Sequence, residues 1–552
     1  RSGTTTLANS GPDYEAALRE LDVFLLQLGD VADDRRMDLL AEAEPAVAVE
    51  DIGDVDFQTS CNEQAQAHFE VGLGRLHHMW YPRARESFLQ AAAADDTCAM
   101  AHWGVAMTHY TPLWAPPDQQ SIREGSSAAQ RALDLEAPTE RERDFIAAIA
   151  AFYEDYEEVP HRVRADAYRD GWRRAHERDR SDVEAASFYA LGILATAPTI
   201  TETYEEQRRA GFILERVLER EPRHPGGHHY LLHAYDLPPL AEDALDIARA
   251  YADIAPTVPH ALHMPSHIFV RLGMWDENII WNLRSAEAAE LHPVNGHTAM
   301  DFYHALDYVV YGYLQQGQDD RATQIAQQAR RADSPQPHAG SAYASIAIPA
   351  RIALEQRDWA AVMNLQALHE GAFNWRNFPH VRAVLHTVRA VGAVFQDDLE
   401  RAQSEFAQLD ELNAIVTEMD DPHWTPHVQA YRELVDALLD HARGDTATAI
   451  EKMRQVTAFQ DSFDKHPIMP GRVIEAGEYL GMLLEFAGRF PEALEAYENA
   501  LEQTPNRLQL YHGAAVSAHE AGLPEIAIHY FGRLAELVGD GDVNRPGSAA
   551  PD

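Results

Sequence analysis

The 552-residue chain carries 88 acidic against 45 basic residues, a formal net charge of −43, and is 46% hydrophobic. That charge repels a phosphate backbone, so nucleic-acid binding is not expected. A solvated acidic surface is the plain reading, and a field that draws cations or basic partners is the functional one. The absence of any run of eighteen apolar residues predicts no membrane span.

The first residue is Arg1, followed by the polar stretch SGTTTLANSGPDY. This is the pattern of a trimmed start, and one way to produce it is removal of an export signal. Residues 14–28 predict one amphipathic helix, and an acidic, poorly periodic passage runs from there to Phe57. Residues 1–58 are therefore expected to form an N-terminal extension or cap.

The only two cysteines, Cys61 and Cys98, each precede a predicted helix at equivalent places one repeat apart. A helix pair returns the chain to the end where it began, so the two can meet. A bridge there would close a loop of about 38 residues and contribute about 4 kcal/mol in the chain-entropy model. It would also favour an oxidising compartment, periplasmic or extracellular, over the cytoplasm. Two buried thiols are the alternative.

From about Glu63 a helix–turn–helix pattern recurs. QAQAHFEVGLGRLHHMWYPRARESFLQAAAADD places Gly72 on a first helix and Ala84, Phe88 and Ala91 on a second; IEAGEYLGMLLEFAGRFPEALEAYENALEQTP does the same with Gly481, Ala493, Tyr497, Ala500 and Pro505. The small residues admit a close neighbour, the aromatic fills the gap to the next pair, and Pro505 stops the helix. Looser copies lie between, as at Ala244, Ala248 and Tyr251, and at Ala322, Ala326 and Ala329. The unit resembles the tetratricopeptide repeat. An all-α superhelix of nine or ten helix pairs is expected over residues 59–540, ending in a disordered tail at 541–552. Three passages break the rhythm: THYTPLWAPPDQQ, LHPVNGHTAMD with His292 and His297, and SFDKHPIMPGRV with Lys465 and His466.

Residues 224–304 hold ten of the chain's 28 histidines, where an even spread would give about four. His229 and His233 repeat as His263 and His267 after 34 residues, each pair at i, i+4. On a helix that spacing puts both rings on one face, as two metal ligands require. Asp236 follows at the end of the first pair. His304 and Asp307 form an i, i+3 pair on the next first helix.

The phrases CAMAHWGVAM, HYLLHAYD, PHALHMPSHIF, FYHALDY, IPARIALEQRDW and KHPIMPGRV are similar to those shared by a family of bacterial tetratricopeptide proteins. The resemblance lends no activity. It implies that first helices line a concave groove where a small molecule, peptide or protein is held. On that face would sit His229, His233 and Asp236, then His260, His263 and His267.

Adjacent helices lie about 8–10 Å apart, so imidazoles from two of them can reach a common point. The predicted ligand set is His229, His233, His263 and His267, with His304 and Asp307 as further ligands or their supports. Asp236 would bind the metal or orient a histidine. Zinc, copper and non-haem iron all suit such a set. An open coordination position would lower the pKa of a bound water, making a metal-dependent enzyme. His260, Tyr230, Tyr235 and Tyr308, with Tyr303 and Tyr311 close by, are groove or substrate candidates, although tyrosines at helical spacing also read as core.

His77, His78 and His102 read either as groove residues or as packed helix. HExxH, GxxxxGK[ST], GxSxG and CxxC are all absent from the sequence, which removes the common zinc-protease, P-loop, hydrolase-elbow and thioredoxin routes. Two readings remain: a metal-binding protein with turnover left open, or a scaffold that binds a peptide or protein without catalysis.

Overall fold

The computed structural model describes residues 51–539 and 541, apart from 115, 199–202 and 420. The helix expected at 14–28 and the tail from 542 lie outside the described residues. Among these, every regular element is a helix, and the only β pairings are the isolated bridges Val294 to His297 and Thr298 to Pro335. The chain is an all-α helical-repeat solenoid of tetratricopeptide type. Its described helices fall into twelve successive pairs, from Glu63–His77 with Tyr81–Ala94 to Leu508–Glu520 with Pro524–Val538, rather than nine or ten.

The repeat signature works as its residue types require. A Cβ at Gly72 would lie 2.8 Å from the Phe88 ring and one at Gly104 2.3 Å, so the fully buried Phe88 fills the space between two first helices. Tyr497 does the same between Gly481 and Gly513. Both aromatics bury their whole side chain, a contribution of roughly 2–3 kcal/mol each.

Helices that bear on the site are numbered α1 (Glu63–His77), α2 (Tyr81–Ala94), α3 (Ala99–Met107), α4 (Val183–Thr196), α5 (Pro225–Tyr235), α6 (Pro259–His263), α7 (Pro265–Leu272), α8 (Trp275–Glu290), α9 (Met300–Gln315) and α10 (Ala339–Glu355). Cys61 precedes α1 and Cys98 caps α3. After α2 returns the chain the two are joined in a disulfide, their Cα atoms 4.9 Å apart. Phe57 is fully buried against Phe69, Trp103 and Phe145, with the Arg141 guanidinium 3.8 Å above its ring. Packing of the array thus takes in residues just before the bridge.

Distant repeats also touch. Trp275 Nε1 donates to the Asn506 carbonyl (2.9 Å), Leu508 N to Gln315 Oε1 (3.0 Å) and Gln509 Nε2 to the Glu355 carbonyl (2.6 Å). The SFDKHPIMPGRV passage lies across the central repeats. Arg271 grips Asp464, Tyr308 Oη lies 3.3 Å from the carbonyls of Pro467 and Met469, and Arg351 donates to the Gly471 carbonyl (2.8 Å). The surface expected as an open groove is bridged there.

Candidate metal centre

The sequence HPGGHH builds the entry to α5. His224 is its N-cap, and its Nδ1 accepts from Gly227 N (2.9 Å). Gly226 lets α5 approach α1, since a Cβ there would meet His77 Nδ1 at 2.4 Å. One ring along, His229 Nδ1 donates to the His77 carbonyl (2.6 Å). In PHALHMPSHIF, Pro265 has no N–H, and the run divides into α6 and α7 across Met264. The turn tightens there, with His267 N bonded to the Met264 carbonyl (3.1 Å). The divided helix still presents His260, His263 and His267 to the interior, each less than a tenth exposed.

The outward nitrogens of the second pair are fixed by their partners. Asn282 on α8 donates its Nδ2 to the Asn278 carbonyl (2.7 Å), which turns Asn282 Oδ1 towards His263 Nδ1 at 2.7 Å. His263 Nδ1 is therefore the donor. His267 Nδ1 donates to Asp236 Oδ2 (2.8 Å), whose other oxygen takes Arg271 Nε (2.7 Å). Burial by itself would raise the Asp236 carboxyl, but Lys465, Arg271 and His267 together hold it well below the usual carboxylate range. With both Nδ1 atoms protonated, the two Nε2 atoms carry lone pairs in neutral rings, and they face each other at 3.0 Å. Burial depresses both rings' proton affinity, more than Asp236 restores it for His267. Two facing lone pairs repel unless a cation lies between or beside them.

His304 on α9 joins this pair, its ring 4.3 Å from that of His263 and its Nδ1 buried without a hydrogen bond. The ligand atoms of His263, His267 and His304 all lie within 4.8 Å of one another, and so do those of His229, His233 and His260. The four rings predicted to share one ion are thus divided: each i, i+4 pair takes a third histidine, His260 for the first and His304 for the second.

Other predicted residues have different tasks. Asp236 takes the orienting role and caps the end of α5. Asp307 is no ligand candidate in this fold: both its oxygens hold Arg351, at 2.8 and 3.3 Å, although it lies one turn from His304. Tyr230 commits its hydroxyl to His77 (3.1 Å). Tyr235 is a repeat aromatic wedged on Gly211, with its hydroxyl donated to Glu215 (2.7 Å). Tyr303 bonds the Ala332 carbonyl (3.1 Å), and Tyr311 packs on Trp275 under Arg351. Tyr308 does border the site, its ring 4.5 Å from His263 and its hydroxyl 3.5 Å from His267 Nε2. His297 is bonded to Ser334 at the surface, and His292 packs on Trp80, so neither of these two histidines joins the two sets.

A further set, His77, His224 and Glu184, was not expected from the sequence. It is a finished hydrogen-bond network. Glu184 accepts from His77 Nε2 (2.7 Å) and His224 Nε2 (3.3 Å), while the opposite nitrogens accept from Tyr230 and Gly227 N. His78 is likewise buried and satisfied, between Tyr251 Oη (2.7 Å) and the Ile52 carbonyl (3.0 Å). Asn282, Arg271 and Lys465 also escaped prediction as site residues. Arg271 had a local signal, four residues past His267; Asn282 lies on a return helix and had none.

A cavity of about 200 Å³ opens beside His229, His233 and His260, lined among others by His233, Asp236, Arg271, His427 and Lys465. Lys465 Nζ is buried without a hydrogen bond, 3.5 Å from Asp236. Burial lowers its ammonium to about 8 against the pull of Asp236.

No protein-family model matches the chain, and no curated protein matches it. Among solved structures, the human IFIT1 dimer with m7Gppp-AAAA aligns at a TM-score of 0.40 and 10% identity, over 88% of this chain and 91% of that one. The Cut9–Hcn1 hetero-tetramer of APC/C aligns at 0.32 and 12%, over 87% and 88%. No helix among the described residues is long and apolar enough to cross a membrane.

Proposed function

We propose that the protein is a metal-binding helical-repeat protein whose centre, formed by His263, His267 and His304, takes a first-row transition ion. The observation that carries this reading is the 3.0 Å approach of His263 Nε2 to His267 Nε2 while both Nδ1 atoms donate outward, to Asn282 and Asp236. Imidazole donors favour zinc, copper or iron over magnesium or calcium. A bound histidine with its other ring nitrogen on a carboxylate or amide is the usual supported ligand. The neighbouring cavity admits a small molecule rather than a folded partner, which favours chemistry at the ion over scaffolding. The buried ammonium of Lys465 adds a proton-donating group to that cavity. The Cys61–Cys98 bridge supports an extracytoplasmic home.

The test is elemental analysis of untagged protein purified without added metal, beside His267→Ala. We expect at least one equivalent of metal in the first, one equivalent less in the second, and unchanged far-UV circular dichroism in both. Metal-free wild type that takes up no zinc, copper or iron on titration ends this reading. The scaffold reading would then gain, and a partner recovered independently of chelators would support it.

A further inference from the structure

We propose that the chain holds a second metal ion, bound by His229, His233 and His260 next to the first. This rests on the reading above and extends it from one ion to two. The second set has its own support: His229 Nδ1 donates to the His77 carbonyl at 2.6 Å, which leaves His229 Nε2 as a bare acceptor aimed at His233 Nε2, 3.2 Å away. Those two rings alone can be reconciled by a hydrogen bond from a protonated His233 Nε2. His260 cannot be reconciled in that way. Its ring is 7% exposed, lies 5.0 Å from that of His229, and has neither nitrogen in a hydrogen bond. Its nearest acidic group, Asp301, stands 3.9 Å from Nδ1, too far to accept. Native proteins rarely bury an imidazole with both nitrogens unpartnered. An ion shared with His229 and His233 gives that ring a partner.

The two sets are neighbours. His260 and His263 have ring centroids 6.0 Å apart, and His233 and His267 6.2 Å apart. His233 is the partly exposed member and lines the cavity, so the second ion has the more direct access to a ligand entering there. Six imidazoles in two adjacent sets of three, drawn from α5, α6, α7 and α9, make a paired centre for first-row divalent ions.

The full-length protein, stripped by chelator and dialysed, is titrated with Zn(II), and bound metal is counted after gel filtration; Co(II) in parallel gives a visible spectrum for each site. Wild type is expected to bind two ions per chain. His229→Ala/His260→Ala is expected to bind one, and His263→Ala/His304→Ala one, each checked for fold by circular dichroism. One ion per wild-type chain overturns the paired centre without any variant having to fold, and its loss from His263→Ala/His304→Ala but not from His229→Ala/His260→Ala leaves the first site standing. Two ions retained in His229→Ala/His260→Ala also overturn it, by placing the second ion elsewhere. No ion in wild type removes both proposals.

Discussion

His77, His224 and Glu184 on one side, and His263, His267 and His304 on the other, are buried sets of three that meet the cost of hiding imidazole in opposite ways. In the first, each ring gives one N–H to the carboxylate and accepts on its other nitrogen, so every polar atom is answered. Burial opposes ionisation of Glu184, yet the two histidines hold its carboxyl below the ordinary range. In the second, the donors point outward to Asn282 and Asp236, the lone pairs point inward at one another, and His304 Nδ1 has no hydrogen-bond partner. Proximity of histidines and carboxylates is common to both. The direction of the protons separates a structural knot from the proposed cation site.

That contrast predicts opposite responses to mutation. The largest effect on stability is expected from Glu184→Ala, which orphans two buried N–H donors and should cost about 4 kcal/mol, at roughly 1–3 for each donor. Urea unfolding measures it, and metal content should not change; metal lost from folded protein would show the two clusters to be one unit. Asp236→Asn acts on the other cluster by removing the charge that orients His267. Its zinc affinity should fall about 10–100-fold in competition with a chromophoric chelator.

His78 offers a pH test outside both sets. Burial lowers its ring from 6.5 to about 3, so the folded state refuses a proton that the unfolded chain accepts below 6.5. Its contribution is complete above pH 6.5 and is lost as pH falls from there towards 3. At pH 5 the loss is about 2 kcal/mol for this one ring. Metal-stripped wild type should therefore lose more stability between pH 7.5 and 5 than His78→Gln does; equal losses would refute the assignment. The smallest effect is expected from Asn282→Ala, which frees His263 Nδ1 and should weaken zinc binding about tenfold. Unchanged affinity would mean that His263 needs no orienting partner.

Much of this was legible in one dimension. The Gly72, Phe88 and Gly481, Tyr497 spacings betray close helix packing, because only a residue without a side chain admits an aromatic ring at that distance. The i, i+4 histidine pairs and the 34-residue repeat likewise place rings on the inner face, where His229, His263 and His267 are found buried. The pairing of the cysteines was left open in the sequence, and the return of α2 brings them together.

Partner choice was not legible. Nothing in the FYHALDY phrase says that Asp307 belongs to Arg351, 44 residues on, or that Tyr235 serves the repeat rather than the site. Nor does it say that Asp464 and Lys465, far down the chain, close on α5 and α7. The sequence by itself determined the helices, their periodic close contacts and the clustering of imidazole, since these depend on neighbours within one or two turns or one repeat. Only the tertiary structure decided which ring faces which, because a hydrogen bond is set within a few tenths of an ångström by groups that the chain brings together from hundreds of residues away.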